Sequence, residues 1–403
     1  MRAKDYTVPD NVPPELVVDF DFFDPPGVEE DVQLAWTKLH EGPDIVWTPH
    51  NGGHWIATRA EDIEVMQRDH AHFSHDKFNL PKNPAEATAI PLSLDPPEHG
   101  KYRRLIMPAF MPDAVKALED AARATARRLI DEIAPRGHCE FIEEFAKMLP
   151  IDVFLTMVDL PKEDRAMLLP WAEVAVRSDD VDEKNEVHRK MGEYLGRFVA
   201  ERTAIPGDDL ISRITQSEVD GRPITIPEVM GICILLLFGG LDTVASELGF
   251  VAKFLAENPA HRREIREHPE LMTAAVEELL RRFALPNTAR ILTEDYEYKG
   301  VSFRKGDMVQ MPKSLHNLDA RKYSDPNKVD FHRPPASIKH AGFGAGPHIC
   351  PGATLARREV TVFLEEWPPR IPDFEIDPAK PTRVASGMVN GVLELNLRWN
   401  PAR

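Results

Sequence analysis

The stretch Phe343-Gly344-Ala345-Gly346-Pro347-His348-Ile349-Cys350-Pro351-Gly352 decides how the chain is read. It sets one cysteine between glycine-rich turns, and a helical run from Ala353 to Leu364 follows. Glycine adopts positive φ and lets the backbone approach a flat partner closely. Amides of the turn and of the next helix start point donors at the sulfur, an environment that lowers a thiol pKa. Pro351 has no amide hydrogen, so Gly352 and the turn beyond it must supply those bonds.

A thiolate with one open face suits a soft or redox-active metal, and a haem iron is the candidate for Cys350. Two readings compete with it. One is a structural turn. The other is a cysteine nucleophile, for which His348, two residues away on the same turn, is a poorly placed base. The glycines do not complete a dinucleotide fingerprint, because Ile349 stands where its last glycine belongs.

The chain has 403 residues, a net charge of −17 and 42% hydrophobic residues. That charge argues against a basic nucleic-acid-binding surface. Length alone allows two or three domains. No linker, repeat or low-complexity segment divides the chain, so residues 1–403 are read as one domain with an extended arm over residues 1–30. The three cysteines, Cys139, Cys233 and Cys350, build no disulfide framework and fit a reducing cytoplasm. Cys139 and Cys233 read as small buried hydrophobes. No apolar signal segment opens the chain, and its most apolar run, Ile232 to Gly240, is too short to span a bilayer. A cytoplasmic monomer away from membranes is expected.

Periodicity predicts a mainly helical protein with a smaller strand-rich part. Helices are expected over Val32–His40, Ala60–Asp69, much of Pro97–Ala200, Pro227–Asn258 and Pro269–Phe283. Strands are expected over Ile45–Thr48 and His54–Thr58, joined through Asn51-Gly52, and over Arg290–Thr293, Tyr296–Tyr298, Val309–Met311 and Gly391–Trp399. Residues 74–94 read as a long loop, and such loops are commonly functional.

Glu278 and Arg281 stand three apart on a helix face and can pair, and Arg333 can close a buried network with them. Their bland reading is surface charge. Gly239-Gly240-Leu241-Asp242-Thr243 interrupts the long apolar helix pattern. Two mid-helix glycines cost about 1 kcal/mol each, so a bulge or a close ligand is expected there. Asp242 and Thr243 are a candidate proton relay; a helix contact with one satisfied Asp is the bland alternative. His99 and Arg103 share a helix face and can grip a carboxylate. His70, His72 and His75 have no metal-like spacing.

Together these motifs resemble the cytochrome P-450 family of haem-thiolate monooxygenases, over nearly the whole chain. Phe343 to Gly352 is similar to the family's cysteine loop, Glu278 to Arg281 with Arg333 to its Glu-x-x-Arg network, Gly239 to Thr243 to its oxygen-activating segment, and His99 to Arg103 to its propionate-binding pair. Within the family the chain resembles the bacterial camphor hydroxylase and its terpenoid-oxidising relatives.

The resemblance implies haem b between the central helix and the cysteine loop, with Cys350 as axial ligand. It implies Asp242 and Thr243 as catalytic groups, and His99, Arg103, Arg290, His348, Phe343 and Gly239 as haem contacts. Phe78, Ala87, Leu235, Phe238, Pro286, Met388 and Val389 would line the substrate pocket. Electrons would come from a [2Fe–2S] ferredoxin and an NADH-dependent flavin reductase, docking near Cys350 at Arg103, Arg104 and Arg357. Ala87 stands where the camphor enzyme has a tyrosine that holds its substrate, and Thr288 where it has an aspartate near a propionate. An ionone-like terpenoid or norisoprenoid is therefore expected, with camphor or another monoterpene as the alternative. A haem-thiolate peroxygenase or isomerase, a non-catalytic haem sensor and a haem-free cysteine hydrolase are the rivals.

Overall fold

The computed structural model describes residues 7–82, 88–178 and 180–401. Its axis is one helix, Ile226–Glu257, 32 residues long. The sequence starts it firmly. Thr225 and Glu228 form a capping box, and Pro227 sits in the first turn, where its missing amide hydrogen costs nothing. Glu228 also accepts from Arg222 at 2.6 and 2.9 Å and from the Tyr102 hydroxyl at 2.5 Å. Tyr102 belongs to the helix Glu98–Ile106, which carries His99 and Arg103. The cap therefore ties two functional helices together.

By length and composition alone the whole central helix could cross a membrane, although its most apolar run could not. Here it packs against the helices Met148–Val158, Val181–Ala204 and Ala353–Arg370 and the strand Gly391–Arg398. Its C-terminal half contributes Leu248, Val251 and Leu255 to a core shared with Phe141, Phe145, Phe363 and Trp367. Gly239 and Gly240 do not break it, because the helix is continuous through both.

A five-stranded sheet lies apart from this helical body. Its order is Ile45–Thr48, His54–Ala57, Met308–Gln310, Ala289–Leu292, Phe73–Ser74. Only the pairing of Met308–Gln310 with His54–Ala57 is parallel. Arg290 lies opposite Val309 in this register, and Ala289 opposite Gln310. A second sheet surrounds Gly391–Arg398, which pairs with Glu375–Ile376, Thr382–Ala385 and His138–Glu140.

The expected helices and strands are present with ends shifted by a few residues. The turn at Asn51-Gly52 has φ of 53° and 91°, as its sequence requires. Residues 7–30 are not a free extended arm: a 3-10 turn at Pro14–Leu16 and further turns around residues 10–12, 22–24 and 26–30 fold them back, and Phe20 and Phe22 are buried beside Trp36.

Candidate functional site

The cysteine loop is held by its own backbone. Cys350 N donates to Phe343 O at 2.9 Å, and Gly344 N to Ala341 O at 2.8 Å. At Gly346, φ is 72°, and a Cβ would come within 2.8 Å of Gln67 O, so only glycine fits against the helix Ala60–Arg68. Phe343 lies under the Arg357 guanidinium, 4.6 Å from the ring centroid.

Cys139 and Cys233 are buried, as expected, whereas Cys350 is exposed. Yet protein surrounds Cys350 densely enough to desolvate it, so its open face looks onto an internal space rather than bulk water. Burial pushes its thiol pKa up and outweighs the Gly352 amide, Arg103 and Arg357, which pull it down. The expected lowering is thus reversed in the protein alone. Its donor is Gly352, the residue left to serve once Pro351 has removed its own amide hydrogen.

The central helix is also open at its middle. Gly239 is exposed at mid-helix, and a Cβ added to it would meet nothing within 4 Å. Thr243 Oγ1 donates to Gly239 O at 3.0 Å, a turn back along the same face. Asp242 and Thr243 are half-buried.

Beside the loop, basic side chains gather with little acid to pair with them. His99 and His348 are in ring contact at 4.3 Å, and His75 and His348 at 4.2 Å. Neither ring nitrogen of His348 has a hydrogen-bond partner among the described residues. Burial, Arg290, His99 and Arg103 push His348 down to about 2. Arg103 donates to Ile349 O at 2.6 Å. Arg290 is buried, donates to Ala289 O at 2.8 Å, and is pushed by desolvation down to about 9. Among the described residues one acid faces this group: Asp95 lies 3.9 Å from His348, but already accepts from Ser74 Oγ at 2.5 Å and His75 N at 3.0 Å. Unpaired buried cations beside an open cysteine fit a flat dianionic ligand with a soft metal at its centre.

Glu278, Arg281 and Arg333 form the network that their spacing suggested. Arg281 meets both Glu278 oxygens at 2.8 Å, and Arg333 meets both at 3.2 Å. The remaining guanidinium donors reach carbonyls of Asn317, Ser324, Asp325, Pro326 and Lys328.

The pocket candidates fall into groups. Pro286 and Val389 form a bridge, and Asn287 N bonds Met388 O at 2.9 Å. Leu235 and Phe238 lie on the central helix, half-buried. The Phe78 ring lies 5.6 Å from that of His75, tilted at 59°, and its carbonyl accepts from Ala289 N. Ala87 lies outside the described residues. Sequence reasoning missed three groups. His188, on Val181–Ala204, meets Phe238 edge-on at 5.1 Å. His75 and Lys313 are buried next to Arg290. A lysine directly after Val309-Gln310-Met311-Pro312 was the one signal that could have pointed there. Two surface clefts, of about 360 Å³ beside Phe254 and about 390 Å³ beside Met148, contain none of these residues.

Residues 174–367 match the family model described as Cytochrome P450. A probable cytochrome P450 127A1 of Sinorhizobium fredii is 35% identical over 99% of this chain and 98% of its own length. The chain belongs to the cytochrome P-450 family. The linalool 8-monooxygenase of Pseudomonas putida is 27% identical, over 90% of this chain and 94% of its own length. The crystal structure of cytochrome P450 CYP101C1 superposes with a TM-score of 0.90 at 40% identity, covering 98% of this chain and all of that one. The protein is thus a P-450 monooxygenase with the P-450 fold, and its cofactor is haem b with an axial cysteine thiolate.

Proposed function

We propose that this monooxygenase hydroxylates a small apolar terpenoid or norisoprenoid, an ionone-like ketone being its type substrate, with Cys350 as the axial thiolate. When bound, haem supplies the oxidising chemistry, placing one oxygen of O2 into a substrate C–H bond at the expense of two electrons. The chain's residues do the rest. Gly352 N bonds the Cys350 sulfur, and Arg103 and Arg357 offset its charge. Arg290, Arg103, His99 and His348 hold the propionates. The exposed Gly239 lets the central helix approach the ring face. Thr243 Oγ1, now bonded to Gly239 O, passes a proton to the reacting side, and Asp242 refills it.

The observation that carries the substrate reading is the apolar set Leu235, Phe238, Pro286 and Val389, all only half-buried in the protein alone. Ala87 offers no hydroxyl to a ketone, and His188 beside Phe238 is a polar group on another wall. The linalool-oxidising relative is consistent with a terpenoid. A [2Fe–2S] ferredoxin fed by a flavin reductase is the electron source that the resemblance favours. Of the three arginines expected to dock it, Arg357 is held by Glu277 at 2.5 and 3.1 Å and Arg103 turns toward Ile349, which leaves the exposed Arg104.

Spectral titration tests the substrate. Ionones should drive the low-to-high spin shift of the ferric enzyme at micromolar concentration, and camphor should not. A full shift with camphor and none with ionones would reject the reading.

A further inference from the structure

Lys313 opens the short helix Lys313–Asn317, and its backbone amide is bonded to Pro286 O at 3.0 Å. The residue is 3% exposed. Its ammonium, which has three donors, makes one hydrogen bond among the described residues, to Met311 O at 2.9 Å. Among the described residues no carboxylate pairs with it. Its charged neighbour is Arg290, and burial with that like charge pushes the ammonium well below its usual range. Two buried cations side by side are strongly unfavourable unless an anion joins them.

The chain offers little anion of its own. Asp95, which faces Arg290, is already engaged by Ser74 and His75. Thr288 precedes Arg290 by two residues, so it shares that face of the extended chain, and its carbonyl accepts from Met311 N at 3.0 Å. The camphor-hydroxylase resemblance puts an aspartate at Thr288. This protein has a hydroxyl there and a lysine next to it, which leaves the Arg290 corner more positive.

We propose that Lys313 is a haem-propionate ligand, gripping with Arg290 the carboxylate that His348 also faces. The inference rests on the family's cofactor and is independent of the substrate. It makes the haem edge here a two-cation clamp, with Thr288 removing the competing carboxylate.

The test uses holoenzyme without substrate, in Lys313→Met and Lys313→Arg forms. Two quantities are measured: the rate of haem transfer to apomyoglobin, and the ferric–ferrous midpoint potential. Lys313→Met should speed transfer about tenfold or more, since a charge-assisted hydrogen bond is lost. It should also lower the midpoint potential, because a cation near the ring favours the less positive ferrous state. Lys313→Arg should keep both near wild type. The reduced CO band should stay red-shifted in all forms, showing that cysteine ligation is intact. Unchanged transfer rate and potential in Lys313→Met, with or without a fall in thermal stability, would overturn the proposal. Should Lys313→Met fail to fold, Lys313→Gln takes its place: faster transfer with a lower potential supports the clamp, and no change in either overturns it.

Discussion

Around Glu278 the chain itself meets nearly every donor and acceptor, whereas around Arg290 most are left unmet. Both clusters are buried: Glu278 and Arg281 are fully sealed, and Arg290 is 4% exposed. In the first, one carboxylate takes two arginines, and backbone carbonyls take what remains. In the second, among the described residues, Arg290 and Lys313 have one carbonyl each and His348 has none. A buried charge completed by its own chain is scaffold. A buried charge left open is half of a contact, and the other half is a ligand.

The difference can be broken experimentally. Glu278→Ala leaves two buried guanidiniums without their anion, so it should cost about 3–5 kcal/mol in urea unfolding, with haem bound or absent. A cost confined to the holoenzyme would erase the contrast. Glu359 gives a third class, a buried acid whose Oε1 has no hydrogen-bond partner among the described residues. Burial raises it to about 8 in the folded protein, against 4.5 for the free group. The folded state then holds a proton that the unfolded state has released. Stability from this group is full below about pH 4.5 and is lost as pH rises toward 8. Glu359→Gln should flatten that decline by roughly 3 kcal/mol between pH 5 and 8, read from urea midpoints at both. An unchanged slope would mean that the carboxylate is paired after all. Arg290→Met should weaken haem retention about 100-fold, measured by haem transfer, while leaving the unfolding midpoint of the haem-free protein unchanged or higher. A fall in the haem-free midpoint would move Arg290 into the scaffold class.

Sequence could read the first cluster better than the second for a physical reason. Glu278 and Arg281 are a helical turn apart, so local spacing announces the pair. Cys350 was equally plain, because the turn that holds it is contiguous. Arg290 and His348 were reached only by resemblance. His75 and Lys313 join them from a strand end and a short helix far apart in the chain, and no periodicity links those positions. The carbonyls that complete Arg281, at Asn317, Pro326 and Lys328, leave no trace in side-chain identity either. Strands of two residues, such as Phe73–Ser74 and Glu375–Ile376, are too short to show alternation. The two mid-helix glycines mark a place for a close partner, as their cost suggests, but not a bulge: the helix runs on, and Gly239 makes room by lacking a side chain.

The clasp of Glu228 on Tyr102, Arg222 and Thr225 has a mechanical consequence. Tyr102 sits between His99 and Arg103 in one helix, and Glu228 caps the other, so the ring-edge grip and the start of the central helix behave as one rigid bracket. Breathing that admits a substrate cannot hinge there without tearing a capped helix end. It is left to the stretches that bear no such rivet.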